Sequence, residues 1–149
     1  MKELLNFYQS TVLVGTCGQP TVDQFIDIAE QGYSTVINLA MHDSENAVKE
    51  EGNIVASLGM SYIHMPVPFD APDIYHFKRF CQLMDVVDGE KVLVHCAVNA
   101  RVSAFMHQYL TLTKGFESAQ VSSPLLNKWR PRMDNVWGRF MAFSKTDLE

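Results

Sequence analysis

The sequence predicts an α/β fold in which a parallel, or mostly parallel, central sheet of about four to five strands carries helices on both faces. Short apolar runs rich in β-branched residues alternate along the chain with longer stretches that have apolar residues at helical spacing. Glycine or proline separates most of these runs. With 149 residues, 47% of them hydrophobic and 19% charged, the chain can bury a substantial core, and we expect residues 1–149 to form a single domain.

The first predicted elements are a strand, a glycine-rich turn and a helix. Thr11–Val14 is predicted as a short strand that ends at the turn. Thr21 is the expected N-cap of the helix, because Gln24 stands three residues later as a capping-box partner. Gly32 is the expected end of this helix.

The middle of the chain repeats the alternation. Ser34–Ala40 is predicted as a buried strand, Glu45–Leu58 as a helix and Ser61–Val67 as a third strand. A clear amphipathic helix then follows Asp73, which is well placed to act as its N-cap or first-turn acid.

The C-terminal part is predicted to be helical. After Gly115, a helix is expected over Glu117–Trp129, ended by Pro131. The apolar residues from Met133 to Phe143 are spaced as in a last amphipathic helix.

The stretch from Lys91 to Gln108 is the centre of the functional interpretation. It reads as a buried strand, a tight loop with Cys96 at its entrance and Arg101 at its exit, and a helix. Backbone N–H groups of such a loop, above a helix N-terminus, form a concave anion site, and arginine adds a planar fork of donors. These surroundings favour a thiolate, which would be a nucleophile facing a bound phosphate. The alternative is that Cys96 is a small, inert core residue, but the whole run favours the functional interpretation.

His95-Cys96 followed by Arg101 resembles the signature loop of cysteine-dependent protein tyrosine phosphatases. Four residues, instead of the usual five, separate the cysteine from the arginine, and this spacing resembles that of the bacterial β-lactamase-hydrolase-like phosphatases. That branch also carries a Gly-Gln-Pro near its N-terminus, which Gly18-Gln19-Pro20 matches. The resemblance implies a cysteine-phosphatase fold, catalysis by Cys96 and Arg101, and a phosphate-binding loop composed of Ala97, Val98, Asn99, Ala100 and Arg101.

Two residues of the loop depart from the family pattern. Asn99 stands where glycine is usual, and asparagine tolerates left-handed backbone better than most residues. Val102 stands where serine or threonine usually follows the arginine, and the missing hydroxyl is expected to slow release of a phosphocysteine.

The proline-rich segment Pro66–Asp73 holds the candidate general acid. Pro-Phe-Asp followed by Ala-Pro is similar to the general-acid loop of small dual-specificity phosphatases. Asp73 is explained as a helix cap, whereas Asp70 caps no predicted helix. Asp70 is therefore the favoured general acid and Asp73 the alternative.

These residues together predict a phosphatase that hydrolyses phosphomonoesters, on a protein or a small molecule, through a phosphocysteine intermediate. Two alternatives remain at this stage. A rhodanese-like sulfurtransferase also uses a cysteine loop, and a phosphate-binding module with little turnover would account for Asn99 and Val102.

Charge and composition limit the classes of partner that the sequence allows. The net charge is −5 and no basic cluster exists, so neither nucleic acid nor an acidic membrane surface is expected as a partner. No run reaches membrane-spanning length, and residues 1–10 lack the apolar core of a signal peptide. Cys17, Cys81 and Cys96 form no disulfide framework, and no His/Asp ligand cluster is evident, so no metal or other cofactor is expected and the bacterial cytoplasm is the favoured location.

Overall fold

Residues 3–149 are described by a computed structural model and contain a five-stranded sheet in the order β1-β2-β5-β3-β4. Strands β2, β5, β3 and β4 are parallel, and only the two-residue edge strand β1 is antiparallel to its neighbour. The prediction of a mostly parallel sheet of four to five strands is therefore confirmed. The strands are β1 (Tyr8–Gln9), β2 (Val14–Cys17), β3 (Thr35–Asn38), β4 (Ser61–His64) and β5 (Val92–His95).

The strand predicted at Thr11–Val14 is wrong in position, because β2 begins where that prediction ends. The Thr11 hydroxyl accepts hydrogen bonds from the amides of Leu13 and Val14, which makes this segment a side-chain-stabilised turn between β1 and β2. Gly15 lies inside β2 and not in the turn. A Cβ at this position would stand 2.6 Å from the Tyr33 hydroxyl, so glycine is required by the close approach of Tyr33.

The helices of the described chain flank this sheet. Two predicted boundaries are wrong: the helix expected over Glu45–Leu58 begins only at Glu51, and the one expected over Glu117–Trp129 is broken before Pro124. The α-helices are α1 (Val22–Glu30), α2 (Glu51–Ser57), α3 (Ile74–Val86), α4 (Ala100–Lys114), α5 (Pro124–Trp129) and α6 (Asn135–Met141), with 3₁₀ turns at Ser118–Gln120, Arg130–Arg132 and Lys145–Leu148.

The predicted helix ends are confirmed where local chemistry sets them. Thr21 and Asp73 each form a capping box, with Gln24 and His76 respectively. Gly115 ends α4 with φ 76°, a left-handed conformation that glycine adopts without a Cβ penalty.

Separate apolar clusters cover the two faces of the sheet. One face packs against α3, α4, α5 and α6, with Phe77, Phe105 and Phe140 fully buried. The other face packs against α1 and α2 through Phe25 and Val55. Helices therefore lie on both faces, as predicted, and the side chains of β5 alternate between the two clusters.

The topology brings three loops to one edge of the sheet. The segments that follow β5, β3 and β4 all leave from the carboxyl ends of parallel strands. Such an edge is where open α/β sheets bind ligands. None of the helices in residues 3–149 has the length and apolar character needed to cross a membrane.

Candidate active site

The loop between β5 and α4 adopts the conformation that its sequence predicts. Cys96 follows directly after β5 and has no solvent exposure, while α4 begins at Ala100. Asn99 lies between them with φ 74°, so the asparagine occupies the left-handed region that glycine usually fills. The Asn99 side chain also donates to the Asn6 carbonyl at 2.8 Å and to the Thr16 hydroxyl at 3.2 Å. These bonds hold the loop to β2 and the segment before it.

Neighbouring segments hold the carbonyl groups of the loop. The Ala97 carbonyl accepts hydrogen bonds from the backbone N–H of Gln19 and from the Asn46 side chain, both at 3.0 Å. The Val98 carbonyl accepts from the Asn6 side chain at 2.9 Å. The backbone N–H groups of loop residues 97–99 donate to no acceptor within residues 3–149. They are therefore available to an anion.

Arg101 supplies a buried cation at the start of α4. Arg101 is 6% exposed, and one terminal nitrogen of its guanidinium donates to the Val67 carbonyl at 2.9 Å. The Nε atom is buried without a hydrogen-bond partner, and no carboxylate of the described chain lies within 4.0 Å of the guanidinium. An unpartnered buried donor on a charged group is costly, so this arrangement is suited to an anionic ligand.

The segment after β4 is fixed beside Arg101 by aromatic packing. Phe69 is 45% exposed and stacks on Trp129 with centroids 5.7 Å apart, and its carbonyl accepts from the Trp137 indole at 2.8 Å. The centre of the Arg101 guanidinium lies 5.7 Å from the Phe69 ring. An aromatic surface therefore stands next to the buried arginine.

The two candidate acids have different surroundings. Asp70 is exposed in a turn directly after Phe69 and makes no hydrogen bond or ion pair with Cys96 or Arg101. Asp73 accepts from the His76 amide at 3.1 Å, and its own amide donates to the His76 ring, so its carboxylate serves as the cap of α3.

A buried polar network beneath the loop contains His95 and Gln19 together with Glu51, a residue that the sequence interpretation missed. His95 Nε2 lies 2.6 Å from Glu51 Oε2, and His95 Nδ1 lies 3.0 Å from the Cys96 carbonyl oxygen. The side-chain amide of Gln19 donates to Glu51 Oε1 at 2.7 Å. Glu51 lies 44 residues from His95 in the chain, so no local pattern could have paired them, whereas the Gly-Gln-Pro motif did point to Gln19.

The other cysteines are in different surroundings. Cys17 is the last residue of β2, and burial raises the pKa of its thiol. Cys81 lies on the buried face of α3, where burial raises its pKa to about 12. Both thiols are therefore protonated at neutral pH.

The first turn of α4 offers no free hydroxyl. Val102 is fully buried, and the Ser103 hydroxyl donates to the Ala100 carbonyl at 2.7 Å. Within residues 3–149, no group of three or more His, Cys, Asp or Glu side chains is arranged to hold a metal ion.

A mostly parallel α/β sheet with this cysteine–arginine loop defines a cysteine phosphatase of the protein tyrosine phosphatase type. The chain belongs to the family described as DSP-PTPase phosphatase fused to NAD+ kinase, whose model matches residues 3–135. The resemblance to cysteine-dependent phosphatases that the sequence shows is thereby confirmed. A sequence search of curated proteins finds no match.

Solved structures agree with this assignment. A candidate phosphatase (DUF442) from Shewanella putrefaciens CN-32 is 30% identical, with a TM-score of 0.84 over 94% of this chain and 91% of that one. TpbA from P. aeruginosa is 13% identical, with a TM-score of 0.75 over 97% and 88% of the two chains. The catalytic domain of the PP-IP phosphatase SIW14 from S. cerevisiae is 12% identical, with a TM-score of 0.72 over 93% and 85%. The last two show a shared fold.

Gly18 provides a test of how tightly the loop is held. A Cβ at this position would stand 2.7 Å from the Ala97 carbonyl oxygen, which belongs to the loop backbone and cannot move aside cheaply. We expect Gly18→Ala to lower kcat/KM for a phosphate ester by about 100-fold, the effect of misplacing reacting groups by about 1 Å.

Gly138→Ala is the matched control, because a Cβ at Gly138 in α6 meets nothing within 4 Å. This variant should keep full activity and gain roughly 0.5–1 kcal/mol of stability. Steady-state kinetics and Tm are measured on both variants. Equal activity of the two would contradict the tight contact between Gly18 and the loop.

Proposed function

We propose that this phosphatase hydrolyses phosphomonoesters through a phosphocysteine formed on Cys96. The observation that carries the proposal is the buried Arg101 guanidinium, whose Nε lacks a partner, next to a loop with free amides. The amides of Ala97, Val98, Asn99 and Ala100 together with Arg101 would hold the phosphate oxygens, and Cys96 would face the phosphorus.

The first chemical step forms the intermediate. The Cys96 thiolate attacks phosphorus, an S–P bond forms, and the bond from phosphorus to the ester oxygen breaks. Asp70, in its protonated form, gives its proton to the departing oxygen, which leaves as an alcohol or a phenol. Loop dipoles and Arg101 stabilise the charge that spreads over the equatorial oxygens.

The second step releases phosphate. Asp70, now a carboxylate, takes a proton from water as the water oxygen attacks phosphorus and the S–P bond breaks to regenerate the thiolate. Because Val102 offers no hydroxyl and that of Ser103 is engaged with Ala100, we expect this step to be the slower one.

The proposal is tested with a panel of phosphate esters. Release of inorganic phosphate should require Cys96, and vanadate should inhibit competitively because it takes the place of the transferring phosphoryl group. Incubation with thiosulfate and cyanide should give no thiocyanate. Thiocyanate formation without phosphate release would support the sulfurtransferase alternative, and phosphate binding without turnover would support the binding module.

The choice of general acid is tested by one substitution at two positions. Asp70→Asn should lower kcat by about 100-fold on alkyl phosphates, whose leaving groups need the proton most, and much less on aryl phosphates with acidic leaving groups.

Asp73→Asn is the matched control, because asparagine also caps helices well and should preserve α3. Its kinetics should stay close to those of the wild type on both substrates. A leaving-group dependence that appears in Asp73→Asn and not in Asp70→Asn would reverse the assignment.

A further inference from the structure

A short basic segment begins at the end of α5. Residues 128–132 read Lys-Trp-Arg-Pro-Arg, so three of these five residues are cations, although the chain as a whole carries a net charge of −5. The expectation of no basic cluster therefore holds for the whole chain and not for this segment. Lys128, Arg130 and Arg132 are exposed, and their side chains form no hydrogen bond or ion pair with other groups of residues 3–149.

Aromatic packing holds this segment beside Arg101. The Trp129 ring stacks on Phe69 with centroids 5.7 Å apart, and the centre of the Phe69 ring lies 5.7 Å from the Arg101 guanidinium. Trp129 also packs against Trp137, whose indole donates to the Phe69 carbonyl. The basic segment is therefore fixed to the same aromatic surface that borders the anion site, and only two ring contacts separate Trp129 from Arg101.

The local backbone directs Arg132 toward this aromatic surface. Residues Arg130–Arg132 form a 3₁₀ turn that starts from Trp129. Side chains three residues apart in a 3₁₀ turn eclipse one another, so Arg132 projects from the same side of the turn as the Trp129 ring. Pro131 stiffens the turn, because its ring fixes the backbone φ angle.

Arg130 belongs to the same turn but has different surroundings. Burial lowers the pKa of His107 in the middle of α4, and the charge of Arg130 lowers it further. Arg130 therefore lies near the middle of α4, whereas the anion site is at the N-terminal end of that helix. Six residues of helix separate Arg101 from His107, a rise of roughly 9 Å along the axis.

Carboxylates near the segment do not neutralise Arg132. Asp134 accepts from the Trp137 amide at 3.0 Å as the cap of α6, and Asp73 caps α3. Asp70 is exposed and forms no ion pair with Arg132. An exposed guanidinium without a partner is available to a group from solution, and its planar fork of donors matches both carboxylates and phosphates.

We propose that Arg132 binds a second anionic group of the substrate, so that this phosphatase prefers phosphomonoesters that carry a further phosphate or carboxylate. The scissile phosphate would lie at Arg101, and the body of the substrate would cross the rings of Phe69 and Trp129 to reach Arg132. The inference rests on the proposed function of the loop that contains Cys96 as the site of the scissile phosphate.

Two kinds of substrate carry a second anion at a suitable distance. In a phosphopeptide it would be an acidic side chain two or three residues from the phosphorylated residue, because that length of extended chain spans roughly 7–11 Å. In a small molecule it would be a second phosphate at the other end of a short chain. Both present the same chemistry to Arg132, so the test includes one pair of compounds of each kind.

Each pair differs only in the second anion. Octane-1,8-diol bisphosphate is compared with octyl phosphate, after correction for its two equivalent phosphates. A phosphotyrosine peptide with glutamate three residues after the phosphotyrosine is compared with the same peptide carrying glutamine there. Affinities are measured as the rise in Tm with ligand concentration in the Cys96→Ser background, which should bind phosphate without hydrolysing it.

Arg132→Gln tests the assignment, and Arg130→Gln is the matched control, because it removes the same charge two positions away in the same turn. We expect binding to favour the more anionic compound by about tenfold when both arginines are present. Arg132→Gln should remove most of this preference and Arg130→Gln should keep it. The preference should also weaken as salt rises from about 0.05 to about 0.5 M, because the contact is exposed.

Equal affinities within both pairs when Arg132 is present, or an equal loss of preference in Arg132→Gln and Arg130→Gln, would overturn the proposal. A preference confined to one pair supports it and identifies the source of the second anion. The ratio of kcat/KM within each pair, measured with Cys96 in place, covers the case in which Cys96→Ser fails to fold. Binding does not depend on turnover, so absence of hydrolysis would contradict the proposed function and leave this inference open to its own test.

Discussion

Replacing Cys96 with serine will lower phosphate-ester hydrolysis by roughly 10⁴-fold or more, the scale on which loss of a catalytic nucleophile acts. The hydroxyl occupies nearly the same volume, but it is far less acidic than the thiol and stays protonated at neutral pH. The loop amides and Arg101 remain, so the variant should still bind inorganic phosphate. Binding is measured as the rise in Tm with phosphate concentration.

Cys81→Ser is the control for this experiment. Cys81 is buried on α3 and is the most exposed of the three cysteines at 8%, so simple access would favour reaction there. The variant should hydrolyse phosphate esters at close to the wild-type rate despite some loss of stability. Substantial residual turnover in Cys96→Ser would show that the sulfur does not carry the chemistry.

Arg101→Lys will lower kcat/KM by about 100- to 1,000-fold, which is the effect of removing one preorganised hydrogen-bond donor to a developing oxyanion in other enzymes. The ammonium keeps the charge but not the planar fork, and it cannot donate to the Val67 carbonyl and to two phosphate oxygens in the same geometry. Phosphate binding and kcat should fall together, because the contacts exist in the bound state and become stronger in the transition state, where charge spreads over the phosphate oxygens. Kinetics and phosphate-dependent Tm are measured on the same preparation.

Arg79→Lys is the corresponding control. Arg79 is exposed on α3, so the same substitution there changes neither burial nor a site contact. A variant at Arg101 that behaves like the one at Arg79 would remove this arginine from the phosphate site.

The strand–loop–helix unit around Cys96 is predictable because its signals are local. Apolar β-branched residues, a loop of fixed length and a helical repeat lie within eighteen consecutive residues, Lys91 to Gln108. The position of Asn99 in left-handed backbone also followed from its own chemistry. Caps at Thr21 and Asp73 are equally local and were predicted correctly.

The errors arise where distant contacts override local preference. Gly15 looks like a turn residue but lies inside β2, where a side chain would collide with the Tyr33 hydroxyl. The acidic run before α2 looks helical, yet residues 45–50 form a loop whose Asn46 side chain binds the Ala97 carbonyl. The sequence pattern around Glu51 is that of an ordinary helix residue, and only the fold brings Glu51 to His95.

The most direct test of the central claim is to trap the intermediate on the wild-type enzyme. The protein is mixed with a phosphate ester, quenched in acid during turnover, digested and mapped by mass spectrometry. Because Val102 leaves the second step without a hydroxyl donor, the phosphocysteine should accumulate. The account predicts one added phosphate on the peptide that contains Cys96, which disappears once the substrate is exhausted. Turnover with no phosphate on Cys96, or with phosphate on another residue, would contradict it.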